Sequence, residues 1–571
     1  MKKIKILLAA LLVVTLSGCL DLDYTETGVI DEEYVFYNPL NGVNQIVTDA
    51  YSWQFGEFKF VSGWMEGAYG YAGAMRCSTT DESEFATSES TIHRYYDGGW
   101  SPAYSFNFYW NEGYRAINEI NTYFDKMDQF TLEDYKYSSG FEANRRAFEL
   151  FPYELRFLRA SFYFEIVKAY GDAPLVMTQM TPQLARNLTR NPASEVFDFI
   201  LSELDAVADF LPASWMDEPN QQVGRATRGA ALGLKSRVLL YMASPLFNTN
   251  NDKELYLKSA EASKYVIDHA ASWGYSFTSY GSLWGHDAFF NAENIYYHGI
   301  AANSNVERAN YPVGIENGSS GNCPTQSLVD AYEYKDNGET FGQRHPGQIN
   351  ITQENPYDGL DPRFALSIVR NGDRWPTNTT QQQTMQTYFG GFNGLPKYMG
   401  TPTGYYLKKL VDGNTLTTAT GATTRRHTWI NMRLAEVYLN YAEAMYYYYG
   451  DADAKGEFGM SANEAINVLR NRPDIMMPNF SGNVGFEERY MRERLVELAF
   501  EDHRFWDVRR WKKGSQFFVN IGMANLELQE NGDVILKRST KIRQWNEKYN
   551  FFPVPQSEIN KIPNLTQNPG W

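Results

Sequence analysis

The sequence predicts an all-α-dominated protein, built of antiparallel helix pairs that carry a large irregular, loop-rich insertion. Three observations predict it. Up to about residue 271, apolar stripes spaced mostly three or four residues apart alternate with short turns. From about 272 to 427 that period fades, Gly, Asn, Thr and Pro become frequent, and Trp and Tyr are scattered. From 428 the helical period returns in WINMRLAEVYLNYAEAMYYYYG, SANEAINVLRNRPD and EERYMRERLVELAFEDHRFWDVRRWKKG.

The first element is a leader. Lys2, Lys3 and Lys5 form a positive n-region, and Ile6 to Leu16 an apolar stretch of signal-peptide length. It is too short to span a bilayer, which takes roughly 20 helical residues. Leu16, Ser17, Gly18 and Cys19 then resemble the bacterial lipobox, in which the cysteine sulfur receives a diacylglycerol. Residues 1–18 therefore read as a lipoprotein signal peptide, Cys19 as the lipidation site and residues 19–40 as a lipid-anchored tether. Buried acyl chains, at about 0.8 kcal/mol per CH₂, hold such a protein on a membrane. Asp21 and Asp23 look like the export signal of surface-exposed lipoproteins. The alternative is an ordinary secretory signal that happens to contain a cysteine.

Residues 41–271 read as a helical repeat scaffold with N-terminal binding loops at 60–105. A helix is expected from about 41 to 57, then loops, then a helix in NFYWNEGYRAINEINTYFDKM. Residues 128 to 148 are polar and mixed. In YELRFLRASFYFEIVKAYGDAPLV, Leu155, Leu158, Phe162 and Ile166 share a stripe that Gly171 and Pro174 terminate. Further helices lie between Pro192 and Pro212, in GRATRGAALGLKSRVLLYMASPLF up to Pro245, and in LYLKSAEASKYVIDHA. These pairs are tetratricopeptide-like in style, without a strict 34-residue period. Residues 272–427 are the insertion, with short strands at most, and its loops are candidate ligand contacts. Residues 428–571 hold the C-terminal helices and a docked tail ending in Trp571. Arg504, Val508 and Trp511 in HRFWDVRRW stack at helical spacing, which suits a buried face with arginines paired to acids such as Glu497. Trp110, Tyr114 and the YYYY run at 446–449 read as packing.

Composition narrows the function. A net charge of −16 argues against nucleic acid and anionic lipid as partners. Past the leader only Cys77 and Cys323 remain, so a disulfide between them stays open and a structural zinc site is not expected. Neither a metal nor a cofactor is anticipated. Phe, Tyr and Trp make up 15% of the chain, with 40 Tyr. Sugars have apolar faces and hydroxylated rims, and such rings match both. The catalytic patterns HExxH, GxSxG and GxxxxGK[ST] are missing, and the histidines form no i, i+4 pair. A glycosidase carboxylate pair stays open, because it is defined by a distance. Within RCSTTDESEF and DGGW, Asp81 sits among polar residues, and two glycines beside Trp100 leave room for a ligand, so that ring is expected at least partly exposed.

Several blocks, in order from end to end, resemble the SusD/RagB family of outer-membrane nutrient-binding lipoproteins. They are LSGC (16–19), LRASFYFEIVKAYGDAPL (158–175), GRATRGAALGLKSRVLLYMASPLFN (224–248), CPTQSLVDAYE (323–333), RLAEVYLNYAEA (433–444), RERLVELAFEDHRFWDVRRW (492–511) and the ending FPVPQSEIN…NPGW. The resemblance implies a cell-surface, outer-membrane lipoprotein. It would bind oligo- or polysaccharide without cleaving it and act as the lid of a SusC-like TonB-dependent transporter barrel. The resemblance implies ligand contacts at Asp81, Trp100, Cys323, Arg374 and Tyr405. Trp100 and Tyr405 would stack, Asp81 and Arg374 would bond hydroxyls, and Cys323 would form a pocket wall. Trp284 in SLWGHD is a further candidate. A structural or fimbria-like surface protein and a glycoside hydrolase are the alternative functions.

Overall fold

A computed structural model describes residues 39–61, 73–129, 132–137, 139–219 and 221–571. The expected signal peptide, Cys19, the expected tether up to residue 38 and residues 62–72 of the expected N-terminal loops lie outside them. The helices stack in chain order. Phe108–Lys126 packs on Phe141–Tyr170, which packs on Ala193–Ala208, then Arg228–Ala243, then Glu254–His269. The next helix in the stack is Leu434–Tyr449, followed by Ala462–Arg470. The irregular region is thus spliced between two successive helices of one array. The array follows the tetratricopeptide-like pairing that the sequence predicts.

Two helix details depart from the sequence reading. Phe141–Tyr170 is one helix with Pro152 inside it. Its early turns are solvent-facing and braced by Arg145 bonding Glu142 and Glu149 at helical spacing, so they carry little apolar stripe to read. The N-terminal helix runs Pro39–Ser52 and stops earlier than expected.

The insertion leaves and rejoins the array through a neck of two antiparallel strands, Asn294–Asn303 and Arg425–Arg433, with Tyr297 opposite Ile430 and Ile300 opposite His427. These strands are longer than anticipated. Each belongs to one end of the insertion, so neither end shows the pairing by itself. A hairpin of Asn520–Leu528 and Val534–Ile542 also forms, turning through Asn531 and Gly532.

Two bodies of the apolar core are the largest. One lies under the helices and takes in Tyr549, Phe552 and Val554 of the C-terminal tail. The other fills the insertion around Tyr311, Tyr332, Phe341, Trp375 and Tyr405. A buried ion network ties the insertion to the C-terminal helices. Arg433 of the neck bonds Glu293, Glu497 and Glu501. Arg363 bonds Asp361, Glu493 and Glu497, and Lys409 bonds Glu501. Burial alone would raise the Glu497 pKa, but Arg472, Arg433 and Arg363 hold it well below the usual carboxylate range. Removing one member of such a network leaves an uncompensated buried charge, so the network fixes how the insertion sits.

Candidate functional site

Four of the six expected contact residues are buried in structural roles. The Asp81 carboxylate accepts from Nε and Nη2 of Arg504, at 2.8 and 2.7 Å. This also corrects the partner of Arg504, since Glu497 belongs to the network above. Trp100 is only 2% exposed. Its ring is walled by Tyr95, Phe552, Trp571 and Tyr549 at centroid distances of 4.7, 4.9, 5.1 and 5.4 Å. Its glycine pair serves a turn: Gly98 sits at φ +88°, and the Gly99 N–H donates to Asp97 Oδ1 at 2.6 Å. Cys323 lies in a buried two-strand pairing opposite Glu84, and burial pushes its thiol up to about 12. Cys77 and Cys323 are both free, so the open disulfide question resolves to two buried thiols. Tyr405 is fully buried, its hydroxyl donating to Gln326 Oε1 at 2.9 Å and lying 3.0 Å from the Tyr357 hydroxyl.

Trp284 is half-buried. Tyr280 packs against its ring and the Lys409 ammonium lies 4.2 Å from its centroid, so little of it is left for a ligand. Arg374 alone of the six is exposed. It stands on the hairpin of Arg374–Trp375 and Gln383–Thr384, without a carboxylate partner among the described residues. HRFWDVRRW is the buried segment the sequence suggests: Arg510 bonds Glu443 and Asp507, and all of Arg504–Arg510 is buried. Trp110 is core, and Tyr447 stacks on Tyr256.

Three residues separate the Gln383–Thr384 strand from YFGGFNGLPKYMG, residues 388–400. Here Phe389, Phe392 and Tyr398 are 65%, 50% and 65% exposed. Three large rings facing solvent within ten residues need a partner or a rigid support, because loose apolar side chains would collapse onto the nearest surface. The support is present. Gly390 N–H donates to Leu395 O at 2.6 Å, Gly391 N–H to Tyr388 O at 2.9 Å and Gly400 N–H to Lys397 O at 2.7 Å. Asn393 is wholly buried, accepts from the Gln386 N–H at 3.0 Å and donates to Val313 O at 2.7 Å. Phe389 N–H donates to Leu526 O of the C-terminal hairpin at 2.8 Å. The backbone folds back so closely that a Cβ on Gly391 or Gly394 would collide with main-chain carbonyls of the same loop.

On this frame Lys397 holds its ammonium 4.1 Å from the Phe392 centroid, while the Phe389 and Tyr398 rings make no ring contact among the described residues. Lys397 thus sets a hydrogen-bond donor beside an apolar ring face on this loop. Sequence reasoning missed these rings. The segment sets four aromatics among four glycines and a proline, a composition that marks a tight turn.

The chain matches the family model described as SusD family over residues 284–571. It also matches one described as starch-binding associating with outer membrane over residues 63–240. SusD-like protein P2 of Formosa agariphila is 26% identical over 434 residues, covering 73% of this chain and 73% of that protein. A solved SusD-like protein from Bacteroides fragilis, 26% identical, superposes with a TM-score of 0.76 over 95% of this chain and 98% of its own. A solved laminarin-binding SusD-like protein shares the fold at 19% identity and a TM-score of 0.60, covering 94% and 98% of the two chains. The blocks read from the sequence, the helical array with its spliced insertion and a family match over more than half of its length agree, and the chain belongs to the SusD family.

Proposed function

We propose that this protein captures oligo- or polysaccharide at the cell surface and passes it to a TonB-dependent transporter barrel in the outer membrane. It is tethered there through a lipid on Cys19 and does not cleave its ligand. The observation that carries the reading is the loop 388–400, which holds Phe389, Phe392 and Tyr398 toward solvent on a backbone braced by its own hydrogen bonds. Sugar faces stack on Phe389 and Tyr398, and Arg374 and Lys397 donate to hydroxyls. The relative that binds laminarin and the family described as starch-binding support a glycan as the ligand class. Family membership supports the transporter partner, and the lipobox at residues 16–19 supports the anchor.

The test is calorimetric titration of the full chain in detergent against a panel of neutral glycans that includes laminarin and starch oligosaccharides. The double variant Phe389→Ala/Tyr398→Ala is expected to weaken the best ligand about 5- to 150-fold, the equivalent of losing about 1–3 kcal/mol of stacking. Its melting temperature should stay near that of the unmodified chain, because both rings are exposed. Unchanged affinity in the double variant, or no glycan bound by the unmodified chain, would overturn the assignment.

A further inference from the structure

A second feature lies away from the aromatic loop. A cleft of about 940 Å³ opens between the helix Pro39–Ser52, the segment 221–225, the neck strand Asn294–Asn303 and Arg426. Its size suits a stretch of oligosaccharide rather than a single ion. Lys59, Arg225 and Arg426 line it, and no carboxylate does so among the described residues. That is unusual for a chain with 68 Asp and Glu against 52 Lys and Arg.

The three cations differ in how far they are already engaged. Arg225 is held from behind by the buried Glu154 carboxylate at 2.7 Å. The Lys59 ammonium donates to the Ser52 carbonyl at 2.5 Å. Arg426 is exposed, rests its guanidinium 5.1 Å from the centre of the Phe289 ring and has no carboxylate partner among the described residues. An independent observation comes from Gln54, which also lines the cleft. It is 3% exposed, and both atoms of its side-chain amide are without a hydrogen-bond partner among the described residues. A buried amide left unsatisfied on both sides costs free energy unless something polar fills the space beside it.

We infer that this cleft is a second carbohydrate subsite, selective for sugar residues bearing a carboxylate or sulfate. Arg426 meets the anionic group, Phe289 offers an apolar face, and the Gln54 amide donates to and accepts from hydroxyls. Whole-molecule attraction does not explain such binding, because a net charge of −16 repels polyanions; the preference must arise locally. The inference rests on the glycan-binding reading above but uses none of the same residues.

The probes are pairs that share a backbone: oligogalacturonate against its methyl ester, and a sulfated galactan oligomer against its desulfated form. Each is titrated against the full chain in detergent at low salt. At least one anionic member is expected to bind about tenfold tighter than its neutral counterpart, and added salt should erode the difference. Arg426→Glu should abolish the preference, Arg426→Lys should keep most of it, and neither should move the melting temperature, because the side chain is exposed. The Phe389→Ala/Tyr398→Ala variant should retain the preference, so the two sites fail separately. Equal binding within both pairs, or a preference that survives Arg426→Glu, would overturn the inference. If neutral glycans do not bind but the anionic preference is present, the aromatic-loop assignment falls and this one stands.

Discussion

Residues 97–100 read DGGW and residues 389–392 read FGGF, and the two segments end oppositely. Each sets rings beside a glycine pair. The Trp100 ring is enclosed, whereas Phe389 and Phe392 face solvent. In both places the glycines do local work. They make a turn stabilised by Asp97 in the first, and a backbone crowded against itself in the second. The difference comes from what arrives across the ring. At Trp100 it is the end of the chain: Tyr549, Phe552 and Trp571 close over it, and the Trp571 indole N–H is anchored to the Lys548 and Phe551 carbonyls at 3.1 Å each. At 388–400 the rest of the fold meets the Asn393 side chain, through the Val313 carbonyl, and the Phe389 N–H, through the Leu526 carbonyl, and leaves Phe389, Phe392 and Tyr398 at least half exposed. A glycine pair therefore marks a turn and says nothing about ligand access.

The largest effect expected from this contrast is at Trp100. Trp100→Ala should cost about 3–5 kcal/mol of stability, the usual range for removing a large ring from a packed core. It should lower the melting temperature strongly while leaving the glycan affinity of the folded fraction unchanged. A melting curve and a titration on the same variant check this. A normal melting temperature with lost binding would make Trp100 a platform after all and erase the comparison.

The same contrast explains how much could be read in advance. The helical array was legible because its signal is local. Leu155, Leu158, Phe162 and Ile166 sit on one stripe of one helix, and all are buried. The packing role of HRFWDVRRW was legible for the same reason. Its partners were not, since Arg504 finds Asp81 from the far end of the chain. Asp81, Trp100, Cys323 and Tyr405 have the residue types of a binding site, but polarity and aromaticity serve a buried network equally well. Only the partner's position separates the two uses. The exposed loop carried a compositional sign in its glycines and rings, but whether anything would cover it was a tertiary question.

A smaller effect is expected from disturbing the frame without touching the rings. In Gly394→Ala the new methyl would meet the main-chain carbonyls of Tyr388 and Thr387, the first of which already accepts the Gly391 N–H. The loop must shift and carry Phe392 and Tyr398 with it. Stability should fall by about 0.5–3 kcal/mol, while glycan affinity should fall nearly as far as in the variant lacking Phe389 and Tyr398. Calorimetry and melting curves decide it. Full affinity in Gly394→Ala would mean that the rings work without their rigid support, and the frame would lose its role.

The smallest effect concerns the buried side of the comparison and is read through pH. Glu82 follows Asp81 in the segment whose polarity suggested a ligand site. Its carboxyl is buried, accepts the Phe500 N–H at 2.9 Å and lies 3.2 Å from the Thr80 hydroxyl. Burial pushes its pKa up to about 8, against the lowering by the Phe500 N–H and with the Asp81 charge adding to it. The folded pKa lies above the unfolded value near 4.5, so the folded state holds a proton that the unfolded chain has released. The resulting stability is complete below pH 4.5, declines as pH rises and is lost once pH passes about 8. Glu82→Gln keeps the acceptor for Phe500 and cannot ionise. Its melting temperature relative to the unmodified chain should therefore rise between pH 5 and pH 8, by roughly 3 °C for a chain of this size. A solvent-facing, ligand-binding Glu82 would already be ionised across that range, and the difference between the two proteins would not change with pH. A flat difference would return this segment to the surface, and Asp81 with it.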